Sequence, residues 1–352
     1  MTEKPAAIAP VLGSLRLGQF PTPLRRLQLA GVDSHDIWVK DDGCSATLYG
    51  GNKVRKLERL LDRARHRGAA RLLTLGAAGS HHVLATCLHG RELGLPTHAV
   101  LTPQPWSSHA EQTLRAGVNA GLTAAPARSY LDALVQLSRE KRTTDFMIAP
   151  GGSGIDGTWA YRLAVDELKA QLQAHGLERF HAIVVAAGSG STAAGLLAGI
   201  LRTGAAERVI AVQVAPNPAL RTLILGQALC ALWQFGQRTS PWAALRALGV
   251  ERRFVGAGYG HSVPAGDEAV ALARSFGLEL EPTYTAKAFA ATLSFARDGV
   301  RARHHDRSKL RLHQRQTYLY WHTLSSVPLA ALLEGAPQTL PGELAQLLRK
   351  PY

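Results

Sequence analysis

The chain has 352 residues, of which 46% are apolar, so two packed subdomains are expected and a disordered chain is excluded. Its most apolar stretches, Ala193 to Leu201 and Leu220 to Phe235, are too short or too broken to read as a transmembrane helix. The net charge of +14 is spread along the chain, and its one dense run, Arg301 to Arg315, has no aromatic residue to stack on bases; it reads as a solvated loop, not a nucleic-acid surface.

Met1 to Pro10 lacks the apolar centre of a secretory signal, so a cytoplasmic location is expected. Ile37 to Lys40 reads as a strand. Leu57, Leu60, Leu61 and Ala64 fall at helical spacing, and Gly68 closes that helix. Arg71 to Leu75 reads as a strand, Ser80 to Leu93 as a helix, and His98 to Leu101 as a strand. Leu114 to Ala116 and Leu131 to Arg139 look helical, and Phe146 to Ile148 extended. Trp159 to Ala174 reads as a helix, Ala182 to Ala187 as a buried strand, Thr192 to Arg202 as a helix and Val209 to Val214 as a strand. This alternation implies an α/β fold with mostly parallel sheets covered by helices. The three cysteines, Cys44, Cys87 and Cys230, are too few and too scattered for a disulfide framework or a zinc site. The pairs His81-His82 and His304-His305 lack metal-site spacing, so no metal is expected.

Three glycine-bearing polar loops fall where ligands of open α/β sheets bind. They are Gly76 to His82, Pro150 to Gly154 and Gly188-Ser189-Gly190-Ser191-Thr192. The last joins a strand to a helix N-terminus, where glycines, hydroxyls and free N–H groups suit a phosphate. A plain tight turn would read the same way. It is neither a Walker A loop nor a dinucleotide fingerprint, since Gly195 comes too late. Pyridoxal phosphate needs a lysine for its Schiff base, and Lys53 follows Gly50-Gly51-Asn52 at a helix start. Spacing alone leaves Lys53 open between that role and a surface lysine.

The segment Gly50-Gly51-Asn52-Lys53-Val54-Arg55-Lys56-Leu57-Glu58 resembles the cofactor-lysine motif of the D-cysteine desulfhydrase and 1-aminocyclopropane-1-carboxylate (ACC) deaminase family. That family belongs to the tryptophan-synthase-β-like, fold-type II pyridoxal phosphate enzymes. Pro21 to Leu24, Val39 to Asp42, Pro150 to Ser153, Gly188 to Thr192, Gly258-Tyr259-Gly260 and Glu281 to Lys287 resemble its other motifs, in its order. The resemblance implies two interleaved domains built on open, twisted, mostly parallel sheets, residues 1–56 with 165–352 as the large one and 57–164 as the small one. It also implies a homodimer and a small amino-acid substrate, with no nucleic-acid or membrane partner.

On this resemblance Lys53 carries pyridoxal 5'-phosphate and moves protons. Lys56, one turn on, helps to neutralise the phosphate, unless it is an ordinary surface lysine. Gly188, Ser189, Gly190, Ser191 and Thr192 cradle the phosphate. Ser80 binds the substrate carboxylate, a role compatible with capping its helix. Tyr259 and Tyr284 are active-site phenols, though core aromatics would look alike in sequence. Thr285 stands at the pyridine nitrogen, where ACC deaminases carry a glutamate; a neutral hydroxyl favours β-elimination over cyclopropane opening. The expected reaction converts a D-cysteine-like amino acid to pyruvate, ammonia and sulfide. The alternatives are ACC deamination, β-replacement, racemisation, or a cofactor-binding protein that has lost turnover. Departures from the family pattern gather at the substrate. His81 replaces an asparagine that donates to the cofactor's ring oxygen, Leu84 an arginine, and Leu324-Ser325-Ser326 a glycine-bearing run, while Trp159 is expected to narrow the pocket.

Overall fold

The structure, a computed structural model, describes residues 15–28, 35–298, 316–336 and 339–349. Met1 to Pro10 and the basic run Arg301 to Arg315 lie outside them. The chain begins with strands β1 (Leu24–Leu27) and β2 (His35–Asp41) and helix α1 (Asn52–His66). Strand β3 (Arg71–Ala77), helix α2 (His81–Glu92), strands β4 (Thr97–Thr102) and β5 (Gln104–Pro105) and helix α3 (Ser108–Asn119) follow. Then come β6 (Thr123–Pro126), α4 (Tyr130–Glu140), β7 (Asp145–Ile148), α5 (Ile155–Ala174), β8 (Phe180–Ala187), α6 (Ser191–Thr203) and β9 (Ala206–Gln213). The last part holds α7 (Leu220–Gln234), α8 (Pro241–Ala247), β10 (Leu248–Glu251), α9 (Pro264–Arg274), α10 (Thr285–Asp298), β11 (Gln316–His322), two short helical turns and β12 (Leu348–Arg349).

The larger sheet has the order β1-β2-β11-β8-β9-β10. Its β1–β2 pair is antiparallel and the other pairs are parallel. Period-two alternation along β8 explains why helices cover both faces. Ile183, Val185 and Ala187 enter a core with α5, α6 and α7, whereas Ala182, Val184 and Ala186 enter a second core with α9 and α10. The smaller sheet, β6-β4-β3-β7, is parallel throughout. Its main core joins α1, α2 and α3.

We propose that these two sheets mark the large and small domains. A division at 56/57 and 164/165 would fall inside α1 and α5, so both helices run from one unit into the other. The last described residues also join the smaller sheet's side: Leu329, Leu344, Leu347 and Leu348 pack into its core, and β12 pairs with β5. No helix among the described residues is long and apolar enough to cross a membrane.

Candidate active site

The loops after β3 and β8 and the start of α1 open onto one cavity of about 650 Å³. Its position beyond the carboxyl ends of parallel strands is the usual place for a ligand in such sheets. The turn before α1 depends on Gly51, whose φ is 92° and whose added Cβ would lie 2.7 Å from the Thr323 carbonyl oxygen. Other residues disfavour that backbone, and the space excludes a side chain. The turn brings Asn52 and Lys53 to the cavity wall, and Asn52 Nδ2 donates to Thr192 Oγ1 at 3.2 Å. Burial pulls the Lys53 ammonium down to about 8.

Lys56 is deeper, 1% exposed. Its Nζ donates to Ser191 Oγ at 2.6 Å and to the Gly151 carbonyl at 3.1 Å. Burial, and then the charge of Lys53, holds it well below the ordinary lysine value. Among the described residues neither amine has a carboxylate facing it, and no Asp or Glu lines the cavity. Gly190 (φ 86°) turns the chain into α6, which starts at Ser191. Two amines without a counter-ion, hydroxyls and a helix N-terminus fit a phosphate group, whose charge would offset their desolvation.

Across the cavity, Ser80 caps α2, its Oγ accepting from the Val83 N–H at 3.4 Å. The Tyr49 hydroxyl lies 2.5 Å from His81 Nδ1, and His81 Nε2 lies 2.8 Å from His109 Nε2. Both ring nitrogens of His81 are therefore engaged within the protein. The expected bond from His81 to the cofactor would require one of them to be released. Burial, then the charge of His109, holds His81 well below the ordinary histidine value.

At the far end, Glu281 caps α10. Its carboxylate accepts from the N–H groups of Thr283 (2.8 Å), Tyr284 (2.7 Å) and Thr285 (2.9 Å). Thr285 Oγ1 in turn accepts from the Glu281 N–H at 2.7 Å, which fixes its rotamer at the cavity wall. Tyr259 and Tyr284 meet edge to face at 5.7 Å. Burial pushes Tyr259 up to about 12 and holds Tyr284 well above the ordinary phenol value, so both phenols keep their protons at neutral pH.

Residues 15–305 match the family described as pyridoxal-phosphate dependent enzyme. The chain belongs to that family. Nocardicin C-9' epimerase of Nocardia uniformis subsp. tsuyamanensis is 31% identical over 94% of this chain and 98% of its own. D-cysteine desulfhydrase of Salmonella paratyphi B is 31% identical over 81% of this chain and 88% of its own. A crystal structure of an ACC deaminase homologue aligns with a TM-score of 0.72 at 25% identity, covering 96% of each chain. The protein is thus a pyridoxal phosphate-dependent enzyme of the ACC deaminase and D-cysteine desulfhydrase group, with the fold-type II architecture.

In this pyridoxal phosphate enzyme, Lys53, Lys56, Ser80, His81, Gly188, Ser189, Gly190, Thr192, Tyr259, Tyr284 and Thr285 all line the one cavity. Ser191 is buried and does not line the cavity, but its Oγ accepts from Lys56, which does. Leu324 and Ser325 also line it, and Ser325 Oγ accepts from the Gly50 N–H at 2.9 Å. Trp159 does not narrow it: its ring packs on Phe235 at 3.7 Å, away from the lining residues. Leu84 is a core residue. Among the described residues no group of three or more His, Cys, Asp or Glu could hold a metal ion. The sequence reading passed over Tyr49, Asn52 and His109. Asn52 adjoins Lys53 and was within reach, but nothing local marks Tyr49 or His109.

Proposed function

We propose that this enzyme catalyses β-elimination on a small amino acid, D-cysteine-like, giving pyruvate, ammonia and the leaving group. The observation that carries this reading is the cavity's charge: lysines and no carboxylate. With Thr285 at the place the family uses for the ring nitrogen, the site offers that nitrogen only a hydroxyl. When bound, pyridoxal phosphate supplies an electron sink for the bond broken at the amino acid's α-carbon. Lys53 anchors it and, with its amine near 8, has a sizeable unprotonated fraction for moving the α-proton. Lys56 and the 188–192 loop hold the phosphate. The free N–H groups at the start of α2, with Ser80, orient the substrate carboxylate. Tyr284 and Tyr259 close the far wall and exclude water from it.

The test is a panel of D- and L-cysteine, D-serine and ACC, read for pyruvate and sulfide. Pyruvate and sulfide from D-cysteine, and nothing from ACC, are expected, and Lys53→Ala should abolish both the product and the cofactor's visible absorbance. Turnover of ACC at a rate matching or exceeding D-cysteine would overturn the reading. One observation favours a second reaction on the same cofactor, epimerisation: the epimerase relative matches almost end to end. Recovery of inverted amino acid from the same panel would reveal it. We also read the protein as a cytoplasmic homodimer acting on small molecules, which light scattering of the purified holoenzyme tests for assembly.

A further inference from the structure

We propose that Tyr49, His81 and His109 form a proton relay between the cavity and solvent, with Tyr49 giving or taking the proton at the cavity wall. The inference rests on reading the cavity as a site of amino-acid proton chemistry. Two hydrogen bonds run in line, Tyr49 Oη to His81 Nδ1 at 2.5 Å and His81 Nε2 to His109 Nε2 at 2.8 Å. Tyr49 and His81 line the cavity. His109, the second residue of α3, is only partly buried, and among the described residues its Nδ1 has no hydrogen-bond partner.

Two neutral imidazoles joined through their Nε2 atoms must differ in tautomer, because one donates and the other accepts. Two arrangements satisfy the chain. In the first, the Tyr49 hydroxyl donates to His81 Nδ1, His81 Nε2–H donates to His109, and the proton of His109 sits on Nδ1. In the second, His109 Nε2–H donates to His81, His81 Nδ1–H donates to Tyr49 Oη, and the hydroxyl hydrogen faces the cavity. A proton arriving at Tyr49 Oη converts the first into the second. The hydroxyl proton moves to His81 Nδ1, the His81 Nε2 proton moves to His109 Nε2, and the His109 Nδ1 proton leaves to water. One proton crosses, no charge is left behind, and the reverse sequence delivers one. Burial of both rings keeps them neutral, as the relay requires. The groups facing them are Lys53, whose charge opposes a second one on His81, and Glu281, whose charge acts on His109. The cavity then has two ways to move a proton, the Lys53 amine and the Tyr49 relay. That pairing allows an α-proton to be taken at one point and a solvent proton returned at another.

The test uses holoenzyme with α-deuterated D- and L-alanine, which have no leaving group and so report proton movement alone. Wild-type enzyme should lose the deuterium to water. His109→Gln keeps a hydrogen bond to His81 but cannot pass a proton through its amide, and exchange should slow roughly tenfold or more. Tyr49→Phe should do the same. His109→Gly should be slow and regain exchange when imidazole is added to the buffer. Wild-type exchange rates in His109→Gln and Tyr49→Phe would overturn the relay. Nitrogen NMR of histidine-labelled holoprotein reads the chain without turnover: Tyr49→Phe should shift both the His81 and His109 nitrogens. If only His81 responds, the relay is equally overturned. If no amino acid exchanges in the wild type while the NMR coupling is intact, the amino-acid reading fails and the relay stands.

Discussion

Lys53 and Lys56 place two amines in a cavity without a carboxylate, and each alone has a measurable consequence. Lys53 falls to about 8 from 10.5 because burial penalises its charge. Between these values the unfolded chain holds a proton that the folded chain has lost, so stability rises with pH through that window. Below it the folded protein carries the full desolvation cost, about 3 kcal/mol as an upper bound. Lys53→Met should therefore raise the melting temperature of the apoprotein at pH 7, and the gain should shrink as pH approaches 10.5; equal gains at both ends would refute the account. For Lys56 we propose a role at the cofactor's phosphate. Removing one charge-assisted bond to a phosphate costs about 1.5–3 kcal/mol, so Lys56→Met should weaken pyridoxal phosphate binding roughly 10- to 100-fold. Equilibrium titration of the apoprotein measures this. Thr285→Glu would put a carboxylate into the cavity, and the rate of the proposed β-elimination should fall as the cofactor spectrum changes.

At the scale of elements, α5 and α6 pack so closely that glycine is required between them. A Cβ at Gly195 would lie 2.3 Å from the Thr158 carbonyl oxygen and 2.4 Å from Tyr161 Cβ. Gly195, which comes too late for a dinucleotide fingerprint, thus serves helix contact and holds the start of α6 against the cavity. Gly195→Ala should cost about 1–3 kcal/mol by overpacking and should also loosen cofactor binding, since α6 must move bodily. A melting curve and a cofactor titration on the same variant check both. This contact is also where the sequence stops being readable. The strand β8 and helix α6 are legible because an apolar run between turn residues has few other conformations, and the Lys53 motif is legible because its glycines are local. The sequence reading assigned no strand to Gln316 to His322, although β11 lies between β2 and β8 in the sheet. Its run of Thr, Tyr, Leu and Trp favours a strand, but its neighbours β2 and β8 are far away in the chain, so nothing local places it between them. His109 escaped for the same reason: its bond to His81 joins α3 to α2 across 28 residues.

At the scale of the whole molecule, one buried ionic network ties the N-terminal segment, β2, α1, α5 and β11 together behind the cavity. Asp42, 0% exposed, accepts from Arg55 Nε at 3.0 Å and Nη2 at 2.9 Å, from the Tyr161 hydroxyl at 2.6 Å and from Trp321 Nε1 at 2.7 Å. Arg55 also donates to Glu167 at 2.8 and 3.0 Å, and Lys40 is bonded to Glu167 and to Gln171. Burial raises the Asp42 carboxyl, but the Arg55 guanidinium outweighs it and holds the group below its ordinary value; Glu167 behaves alike. Arg55 and Lys53 belong to the same turn of α1, so the network fixes the helix that presents Lys53 to the cavity. A carboxyl whose folded pKa is depressed contributes stability above its unfolded value, and that contribution disappears as pH falls through the folded value. Wild-type protein should therefore lose stability steeply below about pH 4. Asp42→Asn leaves Arg55 with one carboxylate in place of two and should cost about 3–5 kcal/mol at pH 7. Its acid limb should be shallower than that of the wild type, and its cofactor affinity should fall because α1 is less firmly held. Urea unfolding at pH 7 measures the first effect, and a series from about pH 4 downward measures the second. A variant as stable as the wild type at pH 7, with the same acid limb, would mean that Asp42 is carried by its neutral hydrogen bonds alone.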